Sequence, residues 1–247
     1  MPSRAESLWY IRRYAPELEF PLLPHRFDGK TLRKMIQIGL PLGMNTALYS
    51  TGHLILQILF NLQGSTFVAG CSVAGKVTSL ANLAIASLSS TMTVFSGQNL
   101  GAGNYRRLCR SAWLIPLSAG AITLSAGILV TIFCNPLLAL FTHDTAVLAF
   151  ATRYIHIVLP FTWMYAIMNV IMCFANGIGE IKYPTIVNLF ILWGVRIPVA
   201  YLLSRLGYGG YAMASVPLSF LAGMILMLFY FRTKRWAKLC ALAKNEP

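Results

Sequence analysis

Asn45, Tyr49, His53, Gln57 and Asn61 recur at a strict spacing of four within an otherwise apolar run. At 3.6 residues per turn this spacing drifts by ~40° per step, so the five share one face of a helix. That face offers amide, phenol and imidazole groups and no carboxylate, which suits it to hold water or a polar compound in apolar surroundings. A lone Asn or Ser in such a run reads as interhelical glue, worth ~0.6 kcal/mol per contact. Five in register read instead as the lining of a cavity. Lys76 and Arg196 stand in two further apolar runs. If those runs cross a membrane, each cation costs at least ~2.5–3.5 kcal/mol to insert and must find water, carbonyls, an aromatic face or an anionic ligand. For Lys76 a structural role, eased by snorkelling, and a place on a ligand path both stand. Arg196, beside Trp193 and Pro198, reads as a structural anchor, and His53 as a hydrogen-bonded core residue rather than a proton relay.

Composition identifies the elements that must position these groups. Hydrophobic residues make up 57% of the 247 positions and charged residues only 11%, with mean hydropathy +0.64. Soluble domains carry roughly 25% charged residues, so the composition predicts an all-α, polytopic membrane protein. Its seven acids, Glu6, Glu17, Glu19, Asp28, Asp144, Glu180 and Glu246, all fall outside the apolar runs. The net charge of +13 gathers mostly at the two ends, which is the pattern of cytoplasmic, lipid-facing segments and not of a nucleic-acid surface. Five cysteines at 71, 109, 134, 173 and 240 give neither a disulfide framework nor a metal spacing, and read as small apolar fillers.

Six apolar runs of the length a tilted helix needs lie at about 40–62, 66–95, 108–134, 154–176, 184–204 and 211–231. Before them, residues 1–38 read as a basic cytoplasmic lead without a signal peptide, ending in an interfacial elbow; residues 39–231 form the six-helix bundle, and 232–247 a basic tail. Arg106, Arg107, Arg110 and Lys182 lie at junctions on the same side as both ends, and the excess of Lys and Arg makes that side the cytoplasm. On the other side, Thr142 or Asp144 is placed to cap a short helix leading to Tyr154, and His143 reads as an exposed loop residue. Polar residues along the second run (Ser72, Lys76, Ser79, Asn82), the fourth (Thr162, Tyr165, Asn169, Cys173, Asn176) and the fifth (Thr185, Asn188, Arg196) point to a polar interior shared with the first.

Enzymatic chemistry finds little support. The Gly101-Ala102-Gly103 sequence lacks the strand and the lysine of a phosphate-binding loop, and there is no His-Glu-x-x-His, carboxylate pair or acidic metal site. The expectation is a protein that is not an enzyme and carries no cofactor.

The segment Ser96-Gly97-Gln98-Asn99-Leu100-Gly101-Ala102-Gly103-Asn104-Tyr105-Arg106-Arg107 is the most specific motif. With Gly39-Leu40-Pro41-Leu42-Gly43, Asn61-Leu62-Gln63-Gly64, Ala74-Gly75-Lys76-Val77, Leu140-Phe141-Thr142-His143-Asp144, Asn176-Gly177-Ile178-Gly179 and Arg196-Ile197-Pro198-Val199-Ala200-Tyr201, it closely resembles the multidrug and toxic compound extrusion (MATE) transporters over residues 7–235. The resemblance implies a two-lobe secondary transporter of the inner membrane that exchanges H⁺ or Na⁺ for a small organic, often cationic, compound by alternating access. It makes this chain the C-terminal six-helix lobe, residues 1–38 the linker, and a missing N-terminal lobe or second six-helix chain its partner. Asn45, Tyr49, His53, Gln57, Asn61, Lys76, Asn169 and Arg196 are then the candidate cavity residues, and Gly97, Gln98, Asn99, Gly101 and Gly103 the motif loop. Family members that bind the coupling ion in this lobe use carboxylates on the first and fourth spans, where this chain has none. The alternatives are a flippase for lipid-linked oligosaccharides in the same superfamily and a membrane assembly subunit that transports nothing.

Overall fold

The computed structural model describes residues 29–233 together with 236, 238 and 241, with side chains left out at 30, 31, 33–35, 37–42, 45, 80 and 81. The expected lead before residue 29 and most of the basic tail lie outside the described residues. Every described element is helical, as an apolar chain in lipid demands: without water, each backbone N–H and C=O must be satisfied within its own segment.

The chain divides into two compact units, Met1–Met44 and Asn45–Pro247. Helix α1 (Gly29–Asn61) begins in the first unit and continues into the second. In the second unit follow α2 (Ser65–Gly101), α3 (Tyr105–Ile132), the short α4 (Cys134–Ala139) and α5 (Thr145–Val158). After a 3₁₀ turn at Leu159–Phe161 come α6 (Thr162–Gly177), α7 (Lys182–Leu189), a π-helical stretch at Phe190–Arg196 and α8 (Ile197–Arg205). A second 3₁₀ turn, Gly209–Ala214, leads into α9 (Ser215–Tyr230).

Two of the irregularities lie at prolines. Pro160 has no N–H to give, and the α5–α6 rod, Thr145–Gly177, tightens there into a 3₁₀ turn. Pro198 would collide with the carbonyl four residues earlier, and the helix before it is widened into the π-helical Phe190–Arg196. Asp144 is the cap expected of the 140–144 segment: its Oδ1 accepts from the N–H groups of Ala146 (2.9 Å) and Val147 (3.3 Å), while Thr142 Oγ1 accepts from the Asp144 N–H.

Among the described residues, four helical rods are long and apolar enough to cross a membrane, Tyr105–Ile132, Thr145–Gly177, Lys182–Arg205 and Gly209–Tyr230, and a fifth if α2, bent by 50° between Ser79 and Asn82, counts as one span. Helices occupy all six expected positions. The first, α1, is long enough, but its polar stripe keeps it out of the strongly apolar set. Two boundaries differ from expectation. The span expected at 154–176 starts at Thr145, so Arg153, just outside the expected run, stands on α5 with its guanidinium over Phe150 (5.6 Å) and Tyr211 (5.1 Å). The motif expected to form a junction is helical through Gly101, leaving only Ala102–Asn104 as the turn. Gly103 makes that turn possible at φ +75°, a conformation that L side chains rarely adopt.

α6 is the centre of the bundle, packed by α2, α3 and α9 around Met92, Leu108, Ile171, Phe174 and Met227. A second cluster joins α2, α4 and α5 through Val77, Leu138 and Ile155. Trp236 of the tail packs on Phe174 and Phe231, with ring centres 5.5 and 4.9 Å away. Ile122, Leu129 and Ile132 on α3, and Leu54 and Ile58 on α1, are left uncovered, as lipid-facing side chains are.

Candidate functional site

The second half of α1 is held against the π-helical segment. A side chain at Gly52 would press on Leu192 at 2.5 Å, so the bare Cα lets the two helices approach. Trp193 Nε1 donates to the Leu48 carbonyl (3.3 Å), Gln63 Nε2 donates to Ser204 Oγ of α8 (2.8 Å), and Leu56 and Leu59 pack with Leu192 and Ala200. These contacts aim the polar stripe of α1 across the bundle.

Facing the stripe is a cavity of about 340 Å³. α1 supplies Tyr49, His53, Leu56, Gln57 and Phe60. Opposite stand Asn82 of α2, Tyr154 of α5, Tyr165 of α6, Arg196 of the π-helical segment, and Val216 and Phe220 of α9. Tyr49 and His53 meet edge to face with ring centres 4.7 Å apart. Among the described residues the lining thus combines phenol, amide, imidazole and guanidinium groups with aromatic faces, and no carboxylate.

Arg196 is the most constrained of these groups. Its Nε and Nη2 donate to Ser219 Oγ (3.0 and 2.8 Å), and its guanidinium lies over the Phe220 ring at 5.5 Å. Ser219 is fully buried and gives its own proton to the Val216 carbonyl (2.6 Å), which leaves its oxygen as an acceptor facing Arg196. The anchoring role expected of Arg196 is therefore visible, and the same side chain also lines the cavity.

The expected site residues divide. Tyr49, His53, Gln57 and Arg196 are brought together at the cavity. Asn61 is one turn beyond it, exposed, and accepts from Gln57 Nε2 on its own helix (3.1 Å). Lys76 is not in the lining: it is exposed, 5.7 Å above the Phe141 ring, because α2 presents Asn82, not Lys76, to the cavity. Asn169 lies one turn behind the lining, where its Oδ1 accepts from Ser89 Oγ (2.7 Å) and its Nδ2 donates to the Tyr165 hydroxyl (3.2 Å). The side chain of Asn45 lies outside the described residues.

The motif residues form a helix seam. Gly97 faces the Gly177 carbonyl, and a Cβ placed on Gly177 would meet the Thr93 carbonyl at 2.5 Å and Ser96 Oγ. Asn99 is buried and donates to the Phe95 carbonyl (2.7 Å), and its own carbonyl accepts from the Asn104 N–H (2.9 Å). The carbonyls of Gln98 and Leu100 accept from Ala102 and Gly103 (2.9 and 3.2 Å), closing the end of α2 after Gly101.

Seven lining residues are not among the expected cavity residues: Asn82 and Tyr165, which the sequence places only on the polar faces of their runs, and Leu56, Phe60, Tyr154, Val216 and Phe220. For Tyr154 a signal exists: Tyr154 and Tyr165 stand about three helical turns apart once the helix is extended back to the Asp144 cap. Leu56, Phe60, Phe220 and Val216 carry none, since an apolar residue in an apolar run reads the same whether it faces lipid, core or cavity.

Comparison with known proteins places this geometry. The chain is 26% identical over 234 residues to a Bacillus subtilis protein described as probable multidrug resistance protein YoeA, covering 90% of this chain and 49% of that one. It is 31% identical over 240 residues to a probable multidrug resistance protein NorM of Haemophilus ducreyi, covering 88% and 49%. It thus spans about half the length of the curated relatives it matches. Among solved structures, one described as a multidrug resistance MATE family transporter in the outward-facing conformation superposes with a TM-score of 0.75 at 18% identity, covering 98% of this chain and 55% of that one. One described as inward-facing gives 0.71 at 17% identity, covering 90% and 51%. These two likenesses bear on the fold. A sequence profile of the MatE family matches residues 41–202, the greater part of the chain. This multi-pass helical membrane protein therefore belongs to the MatE family, a family of transporters and not of enzymes.

Proposed function

We propose that the chain forms one six-helix lobe of a secondary transporter that exports small organic compounds across the inner, or plasma, membrane. The observation that carries this reading is the cavity: the first span's stripe and polar or aromatic residues from four other helical rods converge on one polar space within an apolar bundle. Relatives described as multidrug resistance proteins support organic compounds as the cargo, and their double length supports a companion lobe, on the same or another chain, that completes the cavity. Gln57, His53 and Asn61 are exposed in this chain, as residues facing such a companion across water would be.

Transport then follows alternating access, one lobe moving against the other, with H⁺ or Na⁺ exchanged for the cargo. Relatives solved outward- and inward-facing support that cycle. With no carboxylate in the lining among the described residues, the coupling ion is assigned to the companion lobe or to a weaker site without a carboxylate. Both termini face the cytoplasm, supported by Arg106, Arg107, Arg110 and Lys182 at the two junctions on their side.

The test is labelling. In a background free of its native cysteines, a cysteine at 49, 53 or 57 is expected to react with a membrane-impermeant maleimide when the companion lobe is supplied, and one at 54 or 58, on the uncovered apolar side, is not. Efflux of a fluorescent dye should fall in His53→Leu and Gln57→Leu at unchanged protein level. Absence of labelling at all three stripe positions from either side would remove the reading.

A further inference from the structure

We infer that the cavity takes its compound by an oxyanion, a carboxylate, sulfonate or phosphate group seated on Arg196, with an aromatic or apolar body against Tyr49, Tyr154 and Tyr165. This deepens the reading of the cavity as a ligand site and rests on it. It reverses the positive charge that the family resemblance implies for the cargo.

A guanidinium has five N–H donors in a planar fork that fits an oxyanion with two parallel bonds. Two of those of Arg196 go to Ser219 Oγ, and the other three have no partner among the described residues, on a side chain that lines the cavity. Ser219 is neutral, so it orients the guanidinium without cancelling its charge. The described carboxylates do not cancel it either: Asp144 is committed to the cap of α5, Glu180 sits in the turn between α6 and α7, and neither lines the cavity. A fixed positive charge in an apolar bundle is stabilised most by an anion brought in from outside.

The aromatic lining does not alter this preference. A cationic cargo would rest on an aromatic face; the Phe220 face is already taken by Arg196 at 5.5 Å, and the faces of Tyr49, Tyr154 and Phe60 line the same small space as the guanidinium. A cation would also meet the like charge of Arg196. The remaining polar groups, the Tyr49, Tyr154 and Tyr165 hydroxyls, the Gln57 and Asn82 amides and a ring N–H of His53, can all donate to an oxyanion. A space of about 340 Å³ suits a body of one or two rings.

The experiment compares three ligands of one shape, 2-naphthoate, 2-naphthamide and 2-naphthylmethylammonium, by calorimetric titration of the full chain together with its companion lobe in phosphatidylcholine nanodiscs near neutral pH. Naphthoate is expected to bind about ten-fold tighter than naphthamide, with the ammonium weakest. Arg196→Gln should erase the gap by weakening naphthoate alone, and unchanged naphthamide binding shows that the variant is folded. Arg196→Lys, which keeps the charge but loses the fork, should retain part of the gap and serves if the Gln variant does not fold. Ammonium binding as tight as naphthoate, or naphthoate binding undiminished in Arg196→Gln, overturns the oxyanion assignment while leaving the cavity a ligand site. Failure of all three ligands to bind removes the cavity reading and this inference with it.

Discussion

Two polar regions of this bundle look alike in sequence and differ in structure. On the α2–α6 seam, polar side chains are spent within the chain: Ser89 bonds Asn169, Asn169 bonds Tyr165, Thr93 Oγ1 donates to the Cys173 carbonyl at 3.3 Å, and Gly177 brings the two backbones together. On the α1 stripe the bond recorded for Gln57 stays on its own helix, at Asn61, and His53 makes a ring contact with Tyr49 one turn away. The seam joins helices; the stripe keeps its hydrogen-bonding capacity for something else. A polar residue in a membrane helix is thus glue where its partner lies on another helix of the same chain, and Arg196 does both, bonding Ser219 with two donors while its side chain lines the cavity.

Substitutions test that division, and the largest effect belongs to the seam. Gly177→Val sets a branched side chain against the Thr93 carbonyl and the buried Ser96 hydroxyl, neither of which can yield. It is expected to cost at least ~1–3 kcal/mol, seen as a large drop in the SDS fraction needed to unfold the protein in mixed micelles. Asn169→Ala deletes two interhelical or inter-turn bonds of ~0.6 kcal/mol each and should cost about 1 kcal/mol in the same titration. If it proves neutral, the seam is held by packing alone.

Lys76→Met removes a cation resting on Phe141 outside the cavity. The expected loss is ~0.5–1 kcal/mol of stability, with ligand binding unchanged in calorimetry; a change in binding would return Lys76 to the site. Gln57→Leu is the sharpest contrast. Its stability should stay within ~0.5 kcal/mol of the parent because the side chain is exposed and bonded only to its own helix, while dye efflux falls. A stability loss as large as that of Asn169→Ala would make the stripe a second seam.

Much of this was legible from residue order. Apolar run lengths predicted helices at all six positions, and the spacing of four put Tyr49, His53 and Gln57 on one face, because both features depend only on the local pitch of a helix. The Asp144 cap was legible for the same reason. The α2 boundary was misjudged: Gly97 and Gly101 look like loop residues by propensity, yet close packing against Gly177 keeps Gly97 helical.

The residue order by itself determined the class of the protein, its helices, and the absence of any acid in the apolar runs. Only the tertiary structure decided which polar residues belong together: that Arg196 joins the stripe through Ser219 and Phe220, that Lys76 turns away to Phe141, and that Asn169 serves the seam. The reason is physical. Helical pitch is a property of neighbours in the chain, whereas the rotation of one helix against another is set by glycine contacts, the 3₁₀ turn at Pro160 and the π-helical widening before Pro198, and these act between residues far apart in sequence.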